Sequence, residues 1–239
     1  GKQTYDVFWR PMLRGKFGEE HYEQIGMTWL WGKIQTRFAS RGRGFAREKL
    51  GYPIGSFGEI FDVLAEKIVE CGGKIHMSSV VNKIVVDKTH LLGLEIATDR
   101  THSKFEPFDA VISTTPSHVF PNLIPSLPDA YRSKLTNVKY MSAVIIVLVL
   151  DRPLSHVYWM NVADRSIPFV AVIEHTNLIS PTFYGGRHIV YLSNYVSPDH
   201  KIYLMDHDEL IKEYLPHLRK INKQFDPSWI ETSYHHKVD

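Results

Sequence analysis

The sequence predicts an α+β protein in which a largely antiparallel sheet is flanked by helices. The C-terminal half holds four short β-rich runs whose connections carry Pro or Gly, and strands joined by such short turns pair antiparallel. An amphipathic pattern over Asp206–Asn222 predicts a helix that follows these strands. Another helix, over about Phe57–Cys71, ends at Gly72-Gly73 and leads into a further β-rich stretch.

Length and composition indicate an ordinary globular protein. The 239 residues can bury one large core or two small ones, and 44% hydrophobic with 23% charged residues is typical of such domains. A net charge of +2 is too small to indicate nucleic-acid binding. The longest apolar run, Ala143–Leu150, is too short for a transmembrane segment. The single cysteine, Cys71, excludes an internal disulfide, so we expect a cytoplasmic protein, with a peripheral membrane location as the alternative.

Helices dominate the predicted N-terminal part. Tyr5–Phe38 is expected to be helical, with a first segment broken by Pro11 and Gly15 and a second helix over about Glu19–Phe38. The residues that the second helix should turn inward are Tyr22, Ile25, Met27, Trp29, Leu30, Ile34 and Phe38. The residues that form the apolar stripe of the helix before Gly72 are Ile60, Phe61, Leu64, Ala65, Ile68 and Val69.

Strands and turns alternate through the rest of the chain. The strands predicted before the proline-rich stretch 116–128 are Lys74–Val86, Leu91–Thr98, Lys104–Phe108 and a buried strand, Asp109–Thr115. The prolines predict a crossover loop or short helical turns, and Asp129–Leu135 predicts a short helix. The later strands are predicted over Met141–Leu150, His156–Val162, Phe169–His175, Arg187–Val196 and Trp229–His235.

One stretch of the sequence resembles a known group of enzymes. Gly51–Ile84 reads GYPIGSFGEIFDVLAEKIVECGGKIHMSSVVNKI. It resembles the interior of the superfamily of FAD-dependent amine oxidases, protoporphyrinogen oxidases and phytoene desaturases, where a GG-F-x-x-L…L…GG-x-I…V-x-x-I run links the substrate region to a flavin-domain strand. Val81-Asn82-Lys83-Ile84 matches the V-x-x-I, and Val111–Pro116 resembles the family's V-I-x-T-x-P.

The resemblance implies an internal piece of an FAD-dependent oxidoreductase. Val81 would offer its backbone to the flavin's adenine, and Thr114 and Pro116 would mark the end of a strand against the cofactor. Residues 1–50 would be the helical part of the substrate region, 51–116 a segment with a partial flavin-domain edge, and 117–239 a substrate-binding sheet domain. The full-length protein would bind FAD and pass a hydride from a substrate carbon to the flavin.

The strand Met141–Leu150 bears on the substrate. Classical amine oxidases place a lysine near the flavin in the corresponding strand, whereas this strand is uncharged and has Ile145 at about that position. This departure favours a large, mostly apolar substrate such as a polyisoprenoid or a porphyrinogen. The residues expected to line its cavity are Tyr140, Trp159 and Tyr195.

The chain lacks a complete phosphate-binding glycine fingerprint. Gly42-Arg43-Gly44 is followed by Arg47 where a third glycine is needed, so we expect this chain alone to be inactive and not to hold FAD. No Cys or His spacing predicts a metal site, and the catalytic residues stay unassigned. The oligomeric state is open as well.

Two alternative functions stay open at this point. A flavin isomerase similar to UDP-galactopyranose mutase would need arginines for a diphosphate, and the basic run Arg37, Arg41, Arg43 and Arg47 could provide them. A non-catalytic module that binds an apolar ligand or a partner protein is the second alternative.

Overall fold

Helices form the beginning of the chain in the computed structural model, which describes residues 1–41, 51–88 and 90–238. Helix α1 (Lys2–Thr4), a π-helical turn (Tyr5–Trp9) and helix α2 (Arg10–Phe17) follow one another directly. A 3₁₀ turn (Tyr22–Gln24) and helix α3 (Met27–Ala39) come next. The predicted helical content is confirmed here, although Pro11 and Gly15 do not break the first segment, because Pro11 lies in the first turn of α2.

The second predicted helix, Glu19–Phe38, is wrong at its N-terminal part. Gly26 is extended, with φ −64° and ψ 146°, and separates the 3₁₀ turn from α3. The predicted inward face is also wrong in part, because Met27 and Phe38 are exposed while Tyr22 is buried. The break at Gly26 changes the phase of the helix, so apolar positions counted through it do not share one face.

The segment that resembles the flavoenzymes folds largely as predicted. Helix α4 (Gly58–Glu70) ends in a complete Schellman motif, in which Gly73 N donates to Ile68 O at 2.8 Å and Gly72 N donates to Val69 O at 2.9 Å. Gly72 has φ 85°, the left-handed conformation that glycine adopts without strain. The apolar stripe of α4 is exposed rather than buried.

A small antiparallel sheet follows α4. Its strands β1 (Val81–Asp87), β2 (His90–Ala97) and β3 (Ser103–Pro107) are paired in sequence order, which confirms the predicted meander. Two short helices come after it. Helix α5 (Phe120–Leu123) confirms short helical turns in the proline-rich stretch, and α6 (Asp129–Thr136) confirms the helix predicted over Asp129–Leu135.

Two strand predictions in this region are wrong. Lys74–Val86 forms a strand only from Val81, because Ser78 has φ 53° and interrupts the extended backbone. Asp109–Thr115 is not a strand, and Ile112 is 91% exposed. This segment has the composition of a buried strand but no strand beside it among the residues that the structure describes, and a strand needs a partner for its backbone hydrogen bonds.

The larger sheet has five strands in the order β5-β6-β7-β4-β8, and all its pairs are antiparallel. The strand bounds are β4 (Ser142–Leu150), β5 (Trp159–Asn161), β6 (Ala171–Glu174), β7 (His188–Val196) and β8 (Ile230–Val238). The prediction of a largely antiparallel α+β fold is therefore confirmed, with β5 and β6 shorter than the sequence indicated.

Helix α8 (His207–Ile221) covers one face of this sheet, and the four-residue helix α7 (Lys201–Leu204) precedes it. Asp206 accepts from Glu209 N, and Glu209 accepts from Asp206 N, which is a capping box. The residues that α8 buries against the sheet are Leu210, Tyr214 and Leu218. They meet the buried side chains of β4, which are Val144, Ile146, Leu148 and Leu150.

The chain divides into two compact units. One comprises Gly1–Gly51 and Tyr140–Asp239, with the larger sheet, and the other comprises Tyr52–Lys139, with α4 and the small sheet. The three-part division into residues 1–50, 51–116 and 117–239 stays a prediction about how the segments act in the whole protein.

Candidate functional site

The five-stranded sheet has one face that α8 does not cover, and we call it the open face. Strand β4 identifies the open face, because its side chains alternate between fully buried and half-buried positions along the whole strand. The half-buried side chains lie on the open face. Residues paired across strands share a face, so the pairing register identifies every member. The open face consists of Trp159, Asn161, Ala171, Ile173, Ile189, Tyr191, Ser193, Tyr195, Ala143, Ile145, Val147, Val149, Thr232, Tyr234, His236 and Val238.

The chemistry of the open face is uncharged and partly aromatic. Among these paired positions, which all lie in the described part of the chain, no Asp, Glu, Lys or Arg occurs. One cross-strand row carries Trp159, Ile173, Tyr191, Val147 and Tyr234, and we call it the aromatic row. Its two ends are accessible, because Trp159 is 49% and Tyr234 is 54% exposed. Such a surface can bind a flat apolar molecule by dispersion and aromatic stacking.

Helix α2 lies against β7 on the sheet. The ammonium nitrogen of Lys16 lies 5.1 Å from the centroid of the Tyr195 ring, which is a cation–π contact. Gly15 permits the approach of α2, because a Cβ at this position would lie 3.1 Å from Val170 Cβ. A side chain larger than hydrogen at residue 15 would therefore crowd the Val170 side chain, which would have to move by a few tenths of an ångström.

A cluster of rings adjoins the aromatic row at Tyr191. His175 Nε2 lies 2.7 Å from the hydroxyl oxygen of Tyr184, and the His175 ring meets the Tyr191 ring edge-on at 6.2 Å. Burial lowers the pKa of His175, which favours its neutral form. The cluster thus presents a neutral imidazole and phenols next to the row.

The carboxylate of Glu174 fixes the loop between β4 and β5. It is fully buried and accepts hydrogen bonds from Leu154 N at 3.0 Å, from Ser155 N at 2.6 Å and from Ser155 Oγ at 2.9 Å. These donors satisfy its oxygens inside the core. Glu174 therefore orders the chain that leads into Trp159 and does not face the open side of the sheet.

The structure brings two of the three predicted cavity residues to the same surface. Trp159 and Tyr195 both lie on the open face, and Tyr195 is 37% exposed. Tyr140 lies two residues before β4 in the same compact unit and is 43% exposed. Ile145, at the position where classical amine oxidases have a lysine, also belongs to the open face. The role of these residues in lining a cavity stays a prediction.

The predicted cofactor residues lie in the other compact unit. Val81 begins β1, pairs with Ile96 and is half-buried. Thr114 lies near the end of Asp109–Thr115, Pro116 directly follows that segment, and both residues are exposed. The role of these residues in holding a cofactor stays a prediction. Within residues 1–41, 51–88 and 90–238, no glycine-rich turn between a strand and a helix offers a cradle for the pyrophosphate.

Two arginines of the basic run bear on the sugar-nucleotide alternative. Arg37 lies in the last turn of α3, and the Arg41 guanidinium lies 5.6 Å from the centroid of the Phe38 ring. Arg43 and Arg47 of the same basic run are outside the described residues.

In the described part of the chain, no group of three His, Cys, Asp or Glu side chains could hold a metal ion.

Sequence reasoning missed several members of the open face. Tyr191 could have been found, because it lies four residues before Tyr195 in one predicted strand and therefore points to the same side. Tyr234 could be assigned only once the register of β8 against β4 was known. Lys16 could not be identified from the sequence, because its contact with Tyr195 joins residues that are far apart along the chain.

No helix in the described part of the chain has the length and apolar character that crossing a bilayer requires. No curated protein sequence matches the chain.

Solved structures resemble this fold. An oxidoreductase from Methanosarcina mazei has a TM-score of 0.61 and 22% identity, over 76% of this chain and 42% of that one. A reduced UDP-galactopyranose mutase has a TM-score of 0.66 and 16% identity, over 100% of this chain and 53% of that one. A proposed protoporphyrinogen oxidase from an Exiguobacterium species has a TM-score of 0.59 and 13% identity, over 76% of this chain and 38% of that one.

These likenesses show the fold, and the chain spans about half the length, or less, of the structures it resembles. The family assignment comes from the sequence. The family model described as flavin containing amine oxidoreductase matches residues 27–239, which is most of the chain. The chain therefore belongs to the family of flavin-containing amine oxidoreductases.

Proposed function

We propose that this chain is the substrate-contacting part of an FAD-dependent oxidoreductase that oxidises a large, mostly apolar molecule. The observation that carries the proposal is the open face, with its uncharged aromatic row across the whole five-stranded sheet. A primary amine would need a polar or charged group to position it, and the aromatic row provides apolar and aromatic contacts instead. Porphyrinogens and polyisoprenoids are substrates of the matching kind.

The flavin, when bound in the full-length protein, supplies the hydride acceptor. The residues of this chain would bind and orient the substrate and keep water away from it. Trp159, Tyr191 and Tyr234 place aromatic rings at the edges and centre of the sheet, and Ile173 and Val147 occupy the positions between them. A flat molecule held on these rings is fixed in orientation at a small entropic cost, because the rings are held by the sheet.

The second compact unit exposes apolar surfaces, and these favour the proposal that it is part of an incomplete flavin domain. The residues of α4 that are exposed include Ile60, Phe61, Leu64 and Val69. The segment Asp109–Thr115 likewise has the composition of a buried strand, and it pairs with no strand among the described residues. We propose that further parts of the full-length protein cover both, and that this chain alone does not turn substrate over.

The experiment that tests this function follows flavin reduction in the full-length protein under anaerobic conditions. A porphyrinogen or an isoprenoid should reduce the flavin rapidly, and simple monoamines or polyamines should not. Val147→Asp places a charge at the centre of the aromatic row and should abolish reduction by the apolar substrate, while flavin content stays normal. Val147→Leu keeps the row apolar and should retain most of the rate. Rapid reduction by amines alone would exclude the proposal.

A flavin isomerase acting on a sugar nucleotide is the second candidate. The mutase structure aligns with 100% of this chain, including the N-terminal helices, whereas two of the other structures align with 76%. Arg37 and Arg41 would contribute guanidinium groups for a diphosphate. Equilibrium binding of UDP to the full-length protein separates the candidates, because an apolar-substrate enzyme has no site for it. Submicromolar UDP binding that Arg37→Gln weakens would favour the isomerase.

A further inference from the structure

Lys16 on helix α2 is a cation at one end of the open face. Its ammonium lies over the Tyr195 ring, and the residue is half-buried. The two arginines of α2 are each paired with a carboxylate, Arg10 with Asp6 at 2.6 Å and Arg14 with Glu19 at 3.2 Å. Lys16, in contrast, has no carboxylate within ion-pair distance among the residues that the structure describes.

A half-buried ammonium without a carboxylate beside an uncharged surface favours a bound anion. Partial burial removes some of the water that would otherwise stabilise the charge, and the Tyr195 ring face replaces only part of it. The neighbouring side chains of the open face, Ala143 and Val238, cannot neutralise the charge. A carboxylate or phosphate would bind there with a charge-assisted hydrogen bond.

The distances within the sheet set the shape of the ligand. Tyr195 lies four residues beyond Tyr191 on β7, which corresponds to about 13 Å along a strand. The aromatic row runs perpendicular to the strands, and its five strands span about 19 Å between the outermost ones. An apolar body on the row therefore leaves room for an acidic group that reaches Lys16.

We propose that Lys16 and Tyr195 form an anion-binding end of the open face, and that the substrate is an amphiphile with a carboxylate or a phosphate group. This proposal rests on the proposed function and narrows its substrate class. Neutral polyisoprenoids would then be excluded, whereas molecules that join an apolar body to an acidic group would be accepted.

Two fluorescent probes with the same ring skeleton test the charge requirement on the whole 239-residue chain. Anilinonaphthalene sulfonate carries an anionic group, and N-phenyl-1-naphthylamine does not. Lys16→Gln should weaken binding of the sulfonate about five-fold, as expected for a partly exposed ion pair, and leave the neutral probe within about two-fold. Lys16→Arg should restore sulfonate binding. An equal effect on both probes, or none on either, would overturn the proposal.

A matched lysine controls for the general loss of charge. The ammonium of Lys33 on α3 lies 5.8 Å from the centroid of the Trp29 ring, so it makes a similar cation–π contact away from the open face. Lys33→Gln should leave the affinity for both probes unchanged. If Lys33→Gln weakens sulfonate binding as much as Lys16→Gln does, the preference reflects net charge and the assigned site is wrong.

Two further variants locate the probes and separate this proposal from the proposed function. Val147→Asp on the open face should weaken both probes, and Val63→Asp on the exposed α4 should not abolish binding. If Val147→Asp leaves both probes bound, the open face is not a ligand surface and the proposed function fails with it. If Val147→Asp removes both while Lys16→Gln removes neither, only the anion-binding end fails.

Competition with simple amphiphiles distinguishes the two acids. Dodecanoate and dodecyl phosphate are titrated against the bound sulfonate probe, with dodecanol as the uncharged comparison. We expect one or both acids to displace the probe in a Lys16-dependent way, and the stronger one identifies the preferred group. Displacement by dodecanol that is as strong as that by either acid would contradict an anion-binding end.

Discussion

Tyr214 places a phenol hydroxyl inside the core between α8 and the sheet, where burial raises its pKa to about 12. The side chain of Asn194 is nearby, but it donates to Pro168 O at 2.6 Å and accepts from Tyr195 N at 3.0 Å. The hydroxyl of Tyr214 has no hydrogen bond of good geometry within the described residues. Its burial is therefore not compensated in full.

Tyr214→Phe should keep the free energy of unfolding unchanged or raise it by up to about 1 kcal/mol, because it removes an uncompensated buried hydroxyl. Phe169, whose ring meets Tyr214 at 5.2 Å, offers the comparison. Phe169→Ala should cost about 3–5 kcal/mol through the cavity it creates. Urea denaturation of the variants measures both values, and a loss above about 1 kcal/mol for Tyr214→Phe would show a hydrogen bond that matters.

Two histidines make the fold sensitive to acid. Burial lowers the pKa of His175, and burial together with Lys237, His207 and His236 lowers the pKa of His235, against a small opposing effect of Asp206. The unfolded chain then binds more protons than the folded chain just below the ordinary histidine pKa of about 6.5. The stability that these groups support is present above that pH and is lost as the pH falls.

We therefore expect the urea midpoint to fall between pH 7.5 and pH 5.5, as unfolded-state histidines with a pKa of about 6.5 take up protons. His235→Gln removes one such group and should make the decrease smaller, while His90→Gln serves as a control at an exposed position of the small sheet. An equal decrease in the His235→Gln variant and in the unchanged protein would show that His235 does not contribute.

Two glycines in helical elements should respond to alanine in opposite directions. Gly72 has φ 85°, and apart from its two chain neighbours no atom of the described residues lies within 4 Å of the position that a Cβ would take. Gly72→Ala should therefore cost about 1–2 kcal/mol, because only the left-handed backbone opposes the alanine. Gly32 lies inside α3 with open space around it, so Gly32→Ala should raise stability by up to about 1 kcal/mol. Far-UV circular dichroism during urea titration measures both, and the same sign for both changes would contradict the capping argument.

Sequence patterns correctly predicted the elements whose buried faces and helix caps find their contacts within this chain. Helix α8 and strand β4 have a clear period, and both bury one face in the same core. The end of α4 could be predicted because Gly72 and Gly73 satisfy the last carbonyls locally. Register could not be predicted, since the pairing of β4 with both β7 and β8 depends on the packing of distant segments. The open face was therefore recognisable only in part, through Trp159 and Tyr195.

At the scale of the whole molecule, two segments have the composition of buried elements without being buried. Helix α4 exposes its apolar stripe, and Asp109–Thr115 has no strand partner in the described parts of the chain. The sequence pattern in both cases predicts burial, and burial requires a surface that these residues do not meet within their own unit. We propose that parts of a longer protein provide this surface, since the chain spans only 42% and 53% of two solved structures that share its fold.

The last prediction concerns the cofactor and this chain alone. Binding of a dinucleotide depends strongly on a glycine-rich turn at a helix N-terminus, where backbone N–H groups reach the pyrophosphate. The chain offers an edge strand with Val81 and the exposed Thr114 and Pro116, but the sequence contains no complete fingerprint of that kind. Titration of FAD against the 239-residue chain should therefore leave flavin fluorescence unchanged at micromolar protein.

Unlike the 239-residue chain alone, the full-length protein is expected to bind FAD and to contact it through the backbone of Val81. Val81→Pro removes the N–H donor there and should abolish flavin loading, whereas Val81→Ala should keep the flavin and lower stability by about 1 kcal/mol. Flavin absorbance of the purified variants measures the loading. Normal flavin content in a folded Val81→Pro protein would exclude the backbone contact, and stoichiometric quenching of FAD by the isolated chain would show that its edge residues suffice without a phosphate-binding turn.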